Sequence, residues 1–78
     1  MANADDLRAL LQGAFPDAVA VDVADRTGGG DHFQVEVLSP RFNGLSRLDQ
    51  HRLVYAALEA PLRNGSIHEL RIRTRGTE

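Results

Sequence analysis

The chain has no cysteine, no lysine and no long uninterrupted apolar run, and it holds only 78 residues. Each absence removes a class of protein. Without thiols there is no disulfide and no thiolate metal site made by this chain alone. Histidine and carboxylate are then its transition-metal ligands, and any thiolate must come from a partner. Without an apolar stretch of about 18 residues no helix is expected to span a bilayer. The opening MANADDLRALL lacks the basic region and following apolar run of a secretory leader. These absences predict a soluble, cytoplasmic protein with no membrane partner. At 78 residues it is read as a single domain, 1–78, with one modest core, near the lower limit for folding without staples. No internal repeat, heptad run or low-complexity segment is present beyond Gly28, Gly29 and Gly30. No serine–histidine–acid, Walker or dinucleotide pattern occurs either, and so short a chain leaves little wall for a deep substrate pocket. An enzyme is not expected.

Charge is informative in its distribution. Residues 1–36 carry two arginines against seven acids, a balance of −5, and residues 37–78 carry seven arginines against four acids, a balance of +3. The second half is the basic half. Arginine offers a forked donor geometry suited to phosphates and carboxylates. The plainer reading is a solvated face, because net charge speaks first to solubility and non-specific binding.

In chain order, Asn3 with Asp6 forms a candidate helix cap, and Leu7, Leu10, Leu11, Ala14 and Phe15 follow at helical spacing, predicting an amphipathic helix over 4–14. Pro16 and Asp17 end it. Val19, Val21 and Val23 then alternate with Ala20, Asp22 and Ala24, and Phe33, Val35 and Val37 alternate with Gln34, Glu36 and Leu38. Period-two alternation is the mark of half-buried strands, here an antiparallel hairpin joined by a flexible loop, Arg26 to Asp31. Asp25, Asp31 and His32 around that loop could compose a hard-metal or acid–base cluster, although carboxylates there are more simply turn formers.

The stretch Arg41–Leu58 carries the clearest helix start. A turn at Gly44 leads into Ser46, and Asp49 three residues on completes the capping-box spacing. The helix is expected over 47–58, with Leu48, Tyr55 and Leu58 facing the core, helped by Val54 and Leu62. Pro61 restarts a short helix closed by Gly65. Ile67 to Thr74 then reads as a third strand and Arg75–Glu78 as a frayed tail. The predicted fold is α+β, a three-stranded sheet with helices on one face in the order α-β-β-α-α-β.

Several runs of residues together carry a family resemblance. Gly30-Asp31-His32-Phe33, the run Ser39-Pro40-Arg41-Phe42-Asn43-Gly44-Leu45-Ser46, then His51-Arg52-Leu53-Val54-Tyr55, and Ile67-His68-Glu69-Leu70 with Thr74 resemble the BolA family. Phenylalanine-x-glycine-x-serine followed five residues later by histidine-arginine, then by isoleucine-histidine before a terminal strand, is specific as a combination. The resemblance covers nearly the whole chain and implies a fold similar to the type II KH domain. It also implies two functions. One is an adaptor partnering a monothiol glutaredoxin around a shared [2Fe–2S] cluster, in cluster trafficking or iron- and redox-linked regulation. The other is a nucleic-acid-binding transcriptional regulator.

For the first function, the resemblance places the family's C-terminal histidine ligand on His68. The family's second ligand, a histidine or cysteine in the loop between the first two strands, has no counterpart among Gly28–Gly30. His32 is the nearest substitute. The cluster would be shared with a glutaredoxin and glutathione, whose thiolates complete the iron coordination, and none is expected in the isolated chain, a monomer or weak homodimer. On the residues alone, a histidine at a strand terminus is more often a surface or capping residue, and His51 is expected to pack at the core edge. For the second function, the candidates are Arg41, Asn43, Gly44, Ser46, Arg47, Arg52, Arg71 and Arg73, with DNA as the possible partner. A glycine turn ahead of a helix presents amides to phosphates. The net charge of −2 argues against strong electrostatic binding.

Overall fold

The structure is a computed structural model that describes residues 3–78. It contains α1 (Ala4–Ala14), β1 (Ala20–Asp25), β2 (His32–Leu38), a 3-10 turn (Pro40–Phe42), α2 (Arg47–Ala57), α3 (Glu59–Arg63) and β3 (Glu69–Arg75). The predicted order holds. The strands form one mixed sheet in the order β1-β2-β3, antiparallel between β1 and β2 and parallel between β2 and β3. A parallel pair needs a crossover of about a dozen residues or more, and the 3-10 turn, α2 and α3 supply it.

The core lies between one sheet face and the helices. Phe33, Val35 and Val37 of β2 are buried, as alternation predicts, and they meet Leu7 and Leu11 of α1 with Phe15 at its C-cap, and Val54 of α2 with Leu58 at its C-cap. Phe15 and Phe42 stack in a tilted pair with centroids 5.2 Å apart, closing the core beneath the 3-10 turn. Leu10 and Val19, expected inside, are 41% and 68% exposed, and β1 begins one residue after Val19.

The phase of α2 differs from the expectation. Leu48 and Tyr55 are 61% and 47% exposed, whereas Val54 and Leu58 are buried. The inward face therefore runs through Gln50, Val54 and Leu58, at i, i+4 and i+8. Gln50 fixes it: its Nε2 donates to the carbonyls of Leu45 at 3.0 Å and Phe42 at 3.3 Å, and its Oε1 accepts from the Thr74 hydroxyl at 2.6 Å. A polar residue thereby occupies the position that links α2 to β3.

Local signals act as read at the caps. Asn3 accepts from the Asp6 amide and Ser46 from the Asp49 amide. Asp49 does not return the bond but lies 3.5 Å from Arg52 instead. Gly44 and Gly65 have φ of +77° and +80°, the left-handed region that glycine tolerates. Pro61 stands third in α3 rather than first, still within the turn whose amides have no helical partner.

The tail is not frayed. β3 runs to Arg75, and Asn43 binds the last two residues: its Oδ1 accepts from the Thr77 and Glu78 amides at 2.7 and 3.2 Å, and its Nδ2 donates to the Thr77 hydroxyl at 3.0 Å.

Candidate metal centre

The site lies at the end of the sheet where β2 and β3 both begin. Because the strands are parallel, their first residues share that end, and His32 is paired in register with Glu69. Asp31, just before β2, carries the junction. Its carbonyl accepts from the His68 amide at 2.8 Å and from the Glu69 amide at 3.2 Å, so the backbone before β3 is held against the start of β2.

The loop that delivers Asp31 is built, not loose. Asp25 accepts the amides of Thr27 and Gly28 on Oδ1 and of Gly30 on Oδ2, at 2.9 to 3.2 Å. Gly28 and Gly30 have φ of +76° and +77°, which lets the chain fold back over that carboxylate. Asp25 is thus a turn former, the plainer of the two roles read for it. The Thr27 hydroxyl donates to Asp31 Oδ1 at 3.0 Å and so aims the other carboxylate oxygen at the two histidines.

Asp31, His32 and His68 each place one ligand-capable atom within 4.8 Å of the others, a grouping able to hold a metal ion. Asp31 Oδ2 is 3.6 Å from His68 Nδ1 and 3.8 Å from His32 Nε2, and His32 Nδ1 is 3.1 Å from Glu69 Oε2. The Thr27 hydroxyl, and with it the neighbouring His32 and His68 rings, hold the Asp31 carboxyl below the usual carboxylate value, against an opposing effect of desolvation. Ionised Asp31 then stands between the rings. The His68 side chain is 67% exposed and that of His32 36%, so both can be reached from outside. Two imidazoles and a carboxylate make an incomplete, open coordination set that leaves positions for further ligands.

The two histidines singled out in the sequence are therefore neighbours. The residues proposed for nucleic acid are not gathered in the same way. Arg41 donates to the Ala14 carbonyl at 3.0 Å and lies over the Phe15 ring, its guanidinium carbon 5.8 Å from the centroid. Asn43 holds the tail, Gly44 shapes the turn and Ser46 caps α2. Arg52 lies beside Asp49, Arg71 beside Glu69 at 3.5 Å and Arg73 beside Glu36 at 3.7 Å. Arg47 and His51 line an open groove with Arg73 and Arg75, but Asp22 and Glu36 line it too. Sequence reasoning missed Glu69 as a neighbour of His32, because only the register of a parallel pair reveals it.

Comparison with known proteins bears on the family and the fold. A family model described as BolA-like protein matches residues 16–78. The uncharacterized protein RP812 of Rickettsia prowazekii is 38% identical over 72 residues, 92% of this chain and 91% of that protein. BolA-like protein 1 of Homo sapiens is 52% identical over 48 residues, 62% of this chain but only 34% of the human protein, so the match spans about a third of that relative. Among solved structures, BolA1 from Arabidopsis thaliana superposes with a TM-score of 0.86 at 29% identity, covering 99% of this chain and 95% of that one. The solution structure of yeast Fra2 gives 0.77 at 28% identity, covering 95% and 78%.

Proposed function

The chain belongs to the BolA family, and from that premise we propose that it is an adaptor that lends histidine ligands to a [2Fe–2S] cluster held jointly with a monothiol glutaredoxin and glutathione. The observation that carries this reading is the convergence of His68 and His32 with Asp31 at one exposed end of the sheet. A cysteine-free chain offers imidazoles where the partner offers thiolates, and replacing thiolate by neutral imidazole at one iron raises a cluster's potential. In this arrangement His68, the more exposed ring, supplies the first ligand. His32 supplies the second in place of the residue missing from the loop at Gly28–Gly30. Asp31 keeps the two rings together without closing the site, and the protein contributes binding and positioning with no catalytic step of its own.

The test is to assemble the complex anaerobically with a monothiol glutaredoxin and glutathione, then compare visible absorption and circular dichroism for the native chain and for His68→Ala. Altered charge-transfer bands in the variant are expected. Identical spectra would sink the assignment of His68.

Nucleic-acid binding stays the weaker alternative. Arg41 and Asn43 are committed to internal contacts, Arg52, Arg71 and Arg73 stand beside carboxylates, and Arg47 lines a groove that Asp22 and Glu36 also line. It predicts binding that falls steeply with salt and weakens in Arg47→Ala.

A further inference from the structure

We infer that Glu69 is a positioning residue that holds the His32 ring with Nδ1 engaged and Nε2 free to ligate. The inference rests on the reading of His32 as a metal ligand and concerns how that ring is prepared for it. The register pairs His32 with Glu69 across parallel strands, and alternation sends both side chains to the sheet face away from the core. Glu69 Oε2 stands 3.1 Å from His32 Nδ1 as an ion-pair contact. The other carboxylate oxygen, Oε1, faces Arg71 Nε at 3.5 Å, so the carboxylate is itself held from the next outward position of β3. Arg71, Glu69 and His32 form a line of contacts that ends at the ring.

The chemical consequence comes from the two nitrogens of a neutral imidazole, of which one carries the proton and the other the lone pair. A carboxylate beside Nδ1 favours the proton there and leaves the lone pair on Nε2. Nε2 is also the nitrogen that faces Asp31 Oδ2, at 3.8 Å, on the side where His68 lies. A carboxylate behind a ligating histidine fixes both tautomer and ring orientation, and loss of such a partner costs about 10–100-fold in metal affinity. Glu69 stands in that place. A surface ion pair without this role would require only a protonated ring and would leave no preference once the ring is neutral.

The test uses the full chain without metal, labelled with nitrogen-15, and reads the imidazole tautomers from long-range proton–nitrogen correlations at alkaline pH, where the rings are neutral. The native His32 is expected in the Nδ1–H form. Glu69→Ala should lose that form in favour of Nε2–H, and Glu69→Gln, whose amide oxygen can still accept from Nδ1–H, should restore it. A native His32 in the Nε2–H form, or a Glu69→Ala variant with an unchanged tautomer, would overturn the inference. The complex with glutaredoxin gives a separate readout. If the tautomer behaves as expected but His32→Ala leaves the cluster spectrum unchanged, the ligand reading of His32 fails while the hold of Glu69 on the ring stands.

Discussion

Asn43 makes three hydrogen bonds to a tail that the sequence marks only as a terminus. The acceptor oxygen takes two amides and the donor reaches one hydroxyl, so a single side chain orders Thr77 and Glu78. Asn43→Ala should therefore raise hydrogen-exchange rates at the Thr77 and Glu78 amides toward those of an open chain, with a loss of stability of about 1 kcal/mol, the usual net worth of a hydrogen bond or two at an exposed site. Unchanged exchange at Thr77 would show that the tail is held by β3 alone. Gly76 supports the same contact, since a Cβ there would collide with the Asn43 side chain. Ser46 is the second residue whose effect is local: Ser46→Ala removes the acceptor for the Asp49 amide and should cost about 0.5–2 kcal/mol in urea unfolding, with the fold retained.

At the scale of elements, α2 decides the most. Its apolar residues occur on more than one side, so two phases are compatible with the sequence, one through Leu48, Tyr55 and Leu58 and one through Val54 and Leu58. Tertiary contacts select the second, and Gln50 locks it by bonding both the turn before the helix and Thr74 of β3. The two leucines give a direct check: Leu58→Ala should cost about 2–5 kcal/mol as a buried truncation, while Leu48→Ala should stay within about 0.5 kcal/mol as a surface change. Equal losses in chemical denaturation would mean that the phase is wrong. By contrast α1 was legible, because Leu7, Leu11 and Phe15 recur at intervals of four, and β2 was legible from its alternation. The candidate site was legible in its parts. His68 and His32 stand out by motif, yet nothing in their separation of 36 positions says that they meet. Their meeting depends on β3 lying parallel to β2 and on the Asp31 carbonyl binding the backbone before β3, and neither is a property of any local run of residues.

At the scale of the whole molecule, the site depends on a helix that supplies none of its residues. The family match starts at residue 16, which would suggest that residues 1–15 are dispensable. The core says otherwise. Leu7 and Leu11 are fully buried and Phe15 nearly so, together three of the ten buried apolar core residues among the described residues. Arg41, in the turn that leads toward α2, also takes its contacts from Ala14 and Phe15. Truncating one such side chain costs about 2–5 kcal/mol, and the stability of a whole domain is only about 5–15 kcal/mol. So small a domain has no reserve to absorb the loss of all three. A chain comprising residues 16–78 should therefore show no cooperative urea transition by far-ultraviolet circular dichroism, and its Asp31–His68 backbone contact should be lost with the sheet. A sigmoidal transition with native-like ellipticity would instead establish that the sheet, α2 and α3 fold alone, leaving α1 as a cover over an already formed core.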